Sequence, residues 1–287
     1  MQKHRLEALI PKLVVAPGLV LGFAFIYGFM IWNGVLSVTA SRMLPNYEFI
    51  GFAQYAKLWE MDRWYVALKN LGIFSVLYVG GSMLLGMLLA IFLDQKIRLE
   101  GLLRTVYMYP LAMSFVVTGL AWQWILNPDF GIQKIVRDLG FPNFELNWLG
   151  SERMAIFAIL LAAVWHGSGL VMAILLAGLR NIDSDIWKAT RVDGIPTWRV
   201  YLHIVVPMLL PVITTCVVLQ ALGALRAYDI VVAMTGGGPG FSSDLPGKFV
   251  IDYAGERANL GLAAAAAVEM LLTLVLLLVP SWIVKFR

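Results

Sequence analysis

From Asn181 to Pro211 the chain reads N-I-D-S-D-I-W-K-A-T-R-V-D-G-I-P-T-W-R-V-Y-L-H-I-V-V-P-M-L-L-P. This stretch is polar and charged, and it separates two long apolar segments. Asp183 or Ser184 can cap a helix that starts at Asp185, and both Asp183 and Asp185 suit the positive end of its dipole. Ile186, Ala189 and Val192/Asp193 recur at helical spacing, as do Trp187 and Thr190/Arg191. One face is thus small and apolar, and the other basic. Gly194 ends the helix, because a left-handed residue costs glycine nothing. Pro196 and Thr197 open a second short helix, Thr197–Ile204, which runs to Pro207 at the mouth of the next apolar segment. A connection that a simple turn would make is instead a compact basic element. Its composition fits two readings equally, an amphipathic element resting on lipid headgroups or a docking surface for another protein.

The flanking segments set the fold class. Of the 287 residues, 60% are hydrophobic and only 14% charged, with a mean hydropathy of +0.78. A soluble domain needs far more polar surface to cover its core. A helix needs about 20 apolar residues to cross a bilayer. Six segments reach that length, about 13–38, 71–93, 105–126, 154–179, 207–233 and 260–284. Their continuous apolar runs exclude a membrane β-barrel, whose strands are shorter and alternate. The fold class is all-α integral membrane, with residues 1–287 as a single transmembrane domain and no soluble domain. Lys3, Arg5 and Lys12 precede the first span, as in the charged start of a signal peptide. That span is too long for a signal core and lacks an A-x-A cleavage site, so it reads as a retained anchor.

The net charge of +4 reports topology rather than a nucleic-acid partner. With the N-terminus in the cytoplasm, Lys96, Arg98, Arg104, Arg180, Lys188, Arg191, Arg199 and Lys285 all fall inside. The inner loops are shorter than the outer ones, so their basic density is higher, which is the positive-inside asymmetry. Both termini and the 181–206 loop are therefore expected in the cytoplasm of a multi-pass chain. Outside, 41–70 carries Tyr47, Phe49, Phe52, Tyr55, Trp59, Trp64 and Tyr65, a density that suits an interfacial belt. Cys216, the single cysteine, reads as an apolar filler. His4, His166 and His203 are too far apart in topology to form a metal site. Gly236–Gly240 lacks the G-x-x-x-x-G-K-[ST] spacing of a phosphate loop, so it reads as the turn that ends the fifth span.

Arg226, Asp229 and Glu269 lie inside expected spans, where charge is costly and usually faces a bundle interior or a water-filled path. Arg226 and Asp229 are three apart, so they form either a structural ion pair or a polar patch on a substrate path. Ala263–Ala267 reads as a close-packing interface with a partner subunit, with Glu269 nearby.

The 181–206 loop resembles the coupling loop of permease subunits in ATP-binding-cassette (ABC) importers, whose pattern is E-A-A, a glycine and then I-x-L-P. The matching positions are Lys188-Ala189-Thr190, Gly194 and Ile204-Val205-Val206-Pro207. Lys188 stands where the family usually has Glu, and Thr190 replaces the second Ala. Trp165, Ala177-Gly178-Leu179 and Asn127-Pro128-Asp129-Phe130-Gly131 also match family patterns. Ala233-Met234-Thr235-Gly236-Gly237-Gly238-Pro239 looks like the L-T-G-G-G-P signature of carbohydrate-type permeases. The resemblance implies a type I importer permease with six transmembrane helices and a cytoplasmic two-helix coupling loop, in a bacterial or archaeal plasma membrane. It implies that the ATPase contact uses Asp185, Trp187, Lys188, Ala189, Thr190, Arg191, Asp193 and Gly194. It implies a sugar or sugar-like substrate whose path includes Gln220, Gly223, Arg226, Ala227 and Asp229 of the fifth span. His166 and Gly167 of the fourth span and Ser114 of the third join that path, beside Ala163, Leu111 and Phe115. The implied partners are a second homologous permease, two ATPase subunits and an extracytoplasmic solute-binding protein. ATP and magnesium bind the ATPase subunits, and this chain is expected to hold no cofactor, metal or catalytic residue. One rival is an ion-coupled secondary transporter with Arg226, Asp229 and Glu269 as relay groups. Another is a membrane-embedded enzyme, for which no convergent catalytic groups are visible.

Overall fold

A computed structural model describes residues 2–95 and 98–285, with the side chains of 14–95 and 98–276. The helices are α1 (Gln2–Leu36), α2 (Ala53–Trp59), α3 (Asp62–Asp94), α4 (Glu100–Ala112), α5 (Phe115–Ile125), α6 (Ile132–Asp138) and α7 (Ala155–Arg180). They continue as α8 (Ser184–Val192), α9 (Thr197–Val200), a π turn at Tyr201–Val205, α10 (Val206–Met208) and α11 (Leu210–Leu225). The last are α12 (Tyr228–Met234), α13 (Pro246–Ala254) and α14 (Leu260–Lys285). Among the described residues there is no sheet, only an isolated bridge between Thr39 and Phe49.

The chain divides into two compact units. One comprises Met1–Met61 with Val250–Leu271, and the other Asp62–Phe249 with Leu272–Arg287. In the second unit α3 lies along α7. The reason is a stripe of period four, Phe74, Tyr78, Ser82, Gly86 and Ala90, all buried on one face of α3. Its small residues admit close contact, as expected where lipid offers no hydrophobic contrast. A Cβ on Gly86 would lie 2.6 Å from Val171 Cγ1 of α7. Two apolar clusters occupy the two ends of this helix pair. Phe74, Ile159 and Met234 belong to one, and Leu93, Leu175 and Leu209 to the other.

Val14–Leu36, Asp62–Asp94 and Ala155–Arg180 are each long and apolar enough to cross a bilayer. The third and fifth expected spans are not single rods. Glu100–Ala112 and Phe115–Ile125 meet at 103°, and Thr197–Met208 and Leu210–Leu225 at 71°. At the first break Met113 and Ser114 are extended, and Ser114 Oγ accepts from Val117 N at 3.2 Å to cap α5. At the second, Pro211 lacks the N–H that would bond Pro207 O, and its ring crowds that carbonyl. Pro207 acts in the same way one turn earlier. The expected helix Thr197–Ile204 is α-helical only to Val200 and widens into the π turn before the proline.

The expected aromatic belt divides by environment. Tyr47, Phe49 and Phe52 are exposed, whereas Trp64 is fully buried with its ring 5.0 Å from Phe249. Trp64 belongs to α3, which begins at Asp62, nine residues before the apolar run at 71.

Candidate functional site

The 181–206 loop is built from local rules. Asp183 Oδ1 accepts from Asp185 N at 2.9 Å, which makes Asp183 the cap of α8. The far end is a Schellman motif. Ile195 N donates to Thr190 O at 3.1 Å and Gly194 N to Arg191 O at 3.2 Å, with Gly194 at φ +65°. Lys188 Nζ lies 2.7 Å from Asp185 Oδ1, an exposed pair that contributes little to stability.

Which way α8 faces is settled by its packing. Trp187 packs edge-on against Tyr201 at 5.6 Å, and Thr190 is buried at 6% exposure. Ala189 is exposed, and Val192, on the expected apolar face, is 87% exposed. Asp185, Lys188, Arg191, Asp193 and Gly194 share that exposed side. Periodicity grouped Ile186, Ala189 and Val192, but the large Trp187 ring decides which side turns inward. Thr190, one of the two departures from the family pattern, therefore points away from the exposed face, while Lys188 lies on it.

The residues expected on a substrate path fall into two groups. Gln220, Ala227, His166 and Gly167 are buried inside the chain, and Gly223 is partly buried. Gln220 Oε1 accepts from Tyr78 Oη at 3.2 Å, and Gln220 Nε2 donates to Gly167 O at 3.3 Å. His166 Nδ1 is 3.1 Å from Thr118 Oγ1, and its ring centroid lies 4.3 Å from that of Phe115. These contacts form a polar layer linking α3, α5, α7 and α11. Ser114, Arg226 and Asp229 are instead exposed, at helix junctions. Among the described residues no ion pair joins Arg226 to Asp229, so the structural-pair reading of these two does not hold.

Tyr78 is the member that sequence reading missed, although the period-four stripe on α3 contains it. We expect Tyr78→Phe to cost about 0.5–1 kcal/mol, seen as a Tm about 2 °C lower in detergent. Gly167→Ala should be worse, because its Cβ would sit 2.6 Å from Gln220 Nε2 and 2.7 Å from Tyr78 Oη. A Tyr78→Phe Tm below that of Gly167→Ala would contradict this ordering.

A second missed feature lies after the glycine-rich turn. Arg63 Nε sits 2.6 Å from Asp244 Oδ2, and the two side chains are only 6% and 1% exposed. Asn70 Nδ2 donates to Ser242 O at 2.8 Å and Asp244 O at 2.9 Å. The Arg63 guanidinium also lies 4.7 Å from the Phe241 ring centroid. The turn itself uses positive φ at Gly236, Gly237 and Gly240, with Ser243 Oγ donating to Gly238 O at 2.7 Å. The start of α3 thus holds the segment 241–249.

One further expectation changes. Of the expected Ala263–Ala267 interface, Ala263, Ala264, Ala265 and Ala266 are buried within this chain and Ala267 is partly buried, so most of that run does not offer a free face to a partner. Glu269 Oε1 accepts from Trp59 Nε1 at 2.9 Å and is therefore bonded inside the chain.

Comparison with known proteins agrees with this architecture. Residues 82–286 match the profile of the binding-protein-dependent transport system inner membrane component. The chain belongs to that family. The permease is a multi-pass membrane protein whose work is transport, not covalent catalysis. It is 35% identical over 271 residues to a probable ABC transporter permease of Pyrococcus horikoshii, covering 93% of this chain and 92% of that one. It is 30% identical over 281 residues to the trehalose/maltose transport system permease MalF of Thermococcus litoralis, covering 96% and 92%. It is 33% identical over 251 residues to the xylose/arabinose import permease XacH of Haloferax volcanii, covering 86% and 78%. In fold, the permease resembles a chain of a bacterial ABC transporter that imports the acidic polysaccharide alginate. The TM-score is 0.83 at 18% identity, covering 96% of this chain and 94% of that one.

Proposed function

We propose that this permease supplies half of the transmembrane pathway of an ATP-driven importer for a sugar or sugar-like solute. The observation that carries the reading is the capped 181–206 element, with Ala189 and Val192 exposed among Asp185, Lys188 and Arg191. A headgroup-resting helix would turn Trp187 and its apolar neighbours to lipid, whereas here Trp187 packs inward on Tyr201. The exposed mixed face is the docking surface for an ATPase subunit, and Gly194 sets the geometry of its end. Two such ATPases bind ATP and magnesium, and a second homologous permease completes six-span halves around the path. A solute-binding protein delivers the solute from outside a bacterial or archaeal plasma membrane, with both permease termini in the cytoplasm. Residues 1–287 act as one transmembrane domain, with the coupling loop at 181–206. Support for the sugar class is that curated relatives are named for trehalose/maltose and xylose/arabinose.

Ser114, Arg226 and Asp229 line the solute path, because they are exposed at breaks between helices. Gln220, Gly223, Ala227, His166 and Gly167 form the wall behind them. ATP binding closes the ATPases, displaces α8 and opens the path outward, and hydrolysis resets it. Reconstitution with the cognate ATPase and binding protein tests this directly. Sugar-stimulated ATP hydrolysis is expected, and uptake without ATP would reject the reading. Arg226→Ala should lower uptake of an anionic sugar derivative about tenfold, the size of a lost hydrogen bond to a charged group. Uptake of a neutral sugar should change little, and equal uptake of the anion by both forms would remove Arg226 from the path.

A further inference from the structure

We propose that Arg180 is a positioning residue that ties the coupling loop to the ends of α3 and α4, so that displacement of α8 moves these helices with it. The proposal rests on the reading of 181–206 as the coupling loop. Arg180 is the last residue of α7 and stands three residues before Asp183, the cap of α8. Its Nη2 donates to Glu100 Oε1 at 2.5 Å, at the start of α4, and to Leu93 O at 3.3 Å, near the end of α3. Its Nε lies 3.7 Å from Asp94 Oδ1. One planar guanidinium thus spans both ends of the α3–α4 connection, which the single point of a lysine ammonium does not do.

The other stem of the loop returns to the same place. Tyr201 lines a cleft of about 880 Å³ together with Asp94, Gln95 and Trp187. Both stems, Arg180 before α8 and Tyr201 after α9, therefore converge on the end of α3. A loop held at both stems passes on a displacement, whereas one held at neither absorbs it. The groups are also unsuited to a purely stabilising task. Arg180, Asp94 and Glu100 are 42%, 23% and 33% exposed, and such partly exposed pairs contribute little to folding.

The test uses the full complex of this chain with its partner permease, ATPases and purified cognate solute-binding protein, in proteoliposomes. Arg180→Ala is expected to keep its ATPase subunits attached. Stimulation of ATP hydrolysis by the binding protein should fall about tenfold, within the usual range of coupling between sites. Arg180→Lys should keep only part of the stimulation, because an ammonium is a single point and does not span Leu93 O, Asp94 and Glu100 together. Unchanged stimulation in Arg180→Ala overturns the proposal, as does an Arg180→Lys that is stimulated no better than Arg180→Ala. If Arg180→Ala does not assemble, Glu100→Gln serves instead, since Arg180 then keeps Leu93 and Asp94. A partial loss of stimulation supports the proposal and none overturns it. Val192→Asp separates the two ideas. If ATPase attachment survives that change, the coupling-loop reading itself fails. If attachment is lost there while Arg180→Ala stays fully stimulated, only the role of Arg180 fails.

Discussion

Asp244→Ala is expected to destabilise the region around the start of α3 by about 3–5 kcal/mol, the cost of breaking a buried ion pair from one side. The Arg63 guanidinium would keep its place over Phe241 and Phe249 but lose the carboxylate at 2.6 Å. Lost with it is the anchor that holds the segment after the glycine-rich turn to the start of α3. Thermal unfolding in detergent should show a strongly lowered Tm, together with increased proteolysis between Gly236 and Phe249. Asp244→Asn should cost less, because its side-chain oxygen still accepts a hydrogen bond. The double variant Arg63→Met with Asp244→Leu should recover much of the loss, since removing both charges also removes the desolvation cost. A single variant within about 1 kcal/mol of the native protein would show that the pair does not hold this segment.

Gly194→Val should abolish coupling while sparing the membrane core. Gly194 sits at φ +65°, and a left-handed backbone costs a side-chain residue about 1–2 kcal/mol, more when it is β-branched. Nothing lies within 4 Å of its would-be Cβ, so the penalty is in the backbone and not in a clash. The Schellman turn opens and α9 leaves its angle to α8. Binding-protein-stimulated ATP hydrolysis should fall more than tenfold, with ATPase attachment reduced and Tm changed by only about 1–3 °C. Gly194→Asn is the informative control, because asparagine tolerates the left-handed region. It should keep most of the stimulation. Equal losses in Val and Asn would assign the effect to the added side chain and not to the turn.

Local features were legible from the residues alone. A cap at Asp183 or Ser184 and a stop at Gly194 depend on hydrogen bonds within five residues, and the structure has Asp183 as the cap and Gly194 as the stop. Pro110, Pro207 and Pro211 stand within the expected spans, but residue type alone does not show what each does to its helix. The third span breaks at Met113–Ser114, three residues after its proline, where Ser114 finds Val117 N. The orientation of α8 is not legible in the sequence, because spacing shows that a face exists without showing what it meets. Arg63 and Asp244 are 181 positions apart, and nothing local marks either as buried. The reading of Ala263–Ala267 as a subunit interface fails over Ala263–Ala266 for a related reason, since small residues pack closely whichever helix supplies the neighbour.

By itself the sequence determined the membrane class, the apolar segments and the compact build of the 181–206 loop, and it set an expectation of sidedness. These follow from hydropathy, loop charge and short-range backbone chemistry. Only the tertiary structure decided which face of α8 is free, that Tyr78 bonds Gln220, and that Arg226 and Asp229 are exposed and unpaired with each other. The physical reason is the solvent. In water, an apolar face points to the core. In a bilayer, lipid is as apolar as leucine, so hydropathy does not distinguish a face packed on protein from one packed on lipid. That choice is made by side-chain shape and polar pairing between distant segments, and both exist only once the chain has folded.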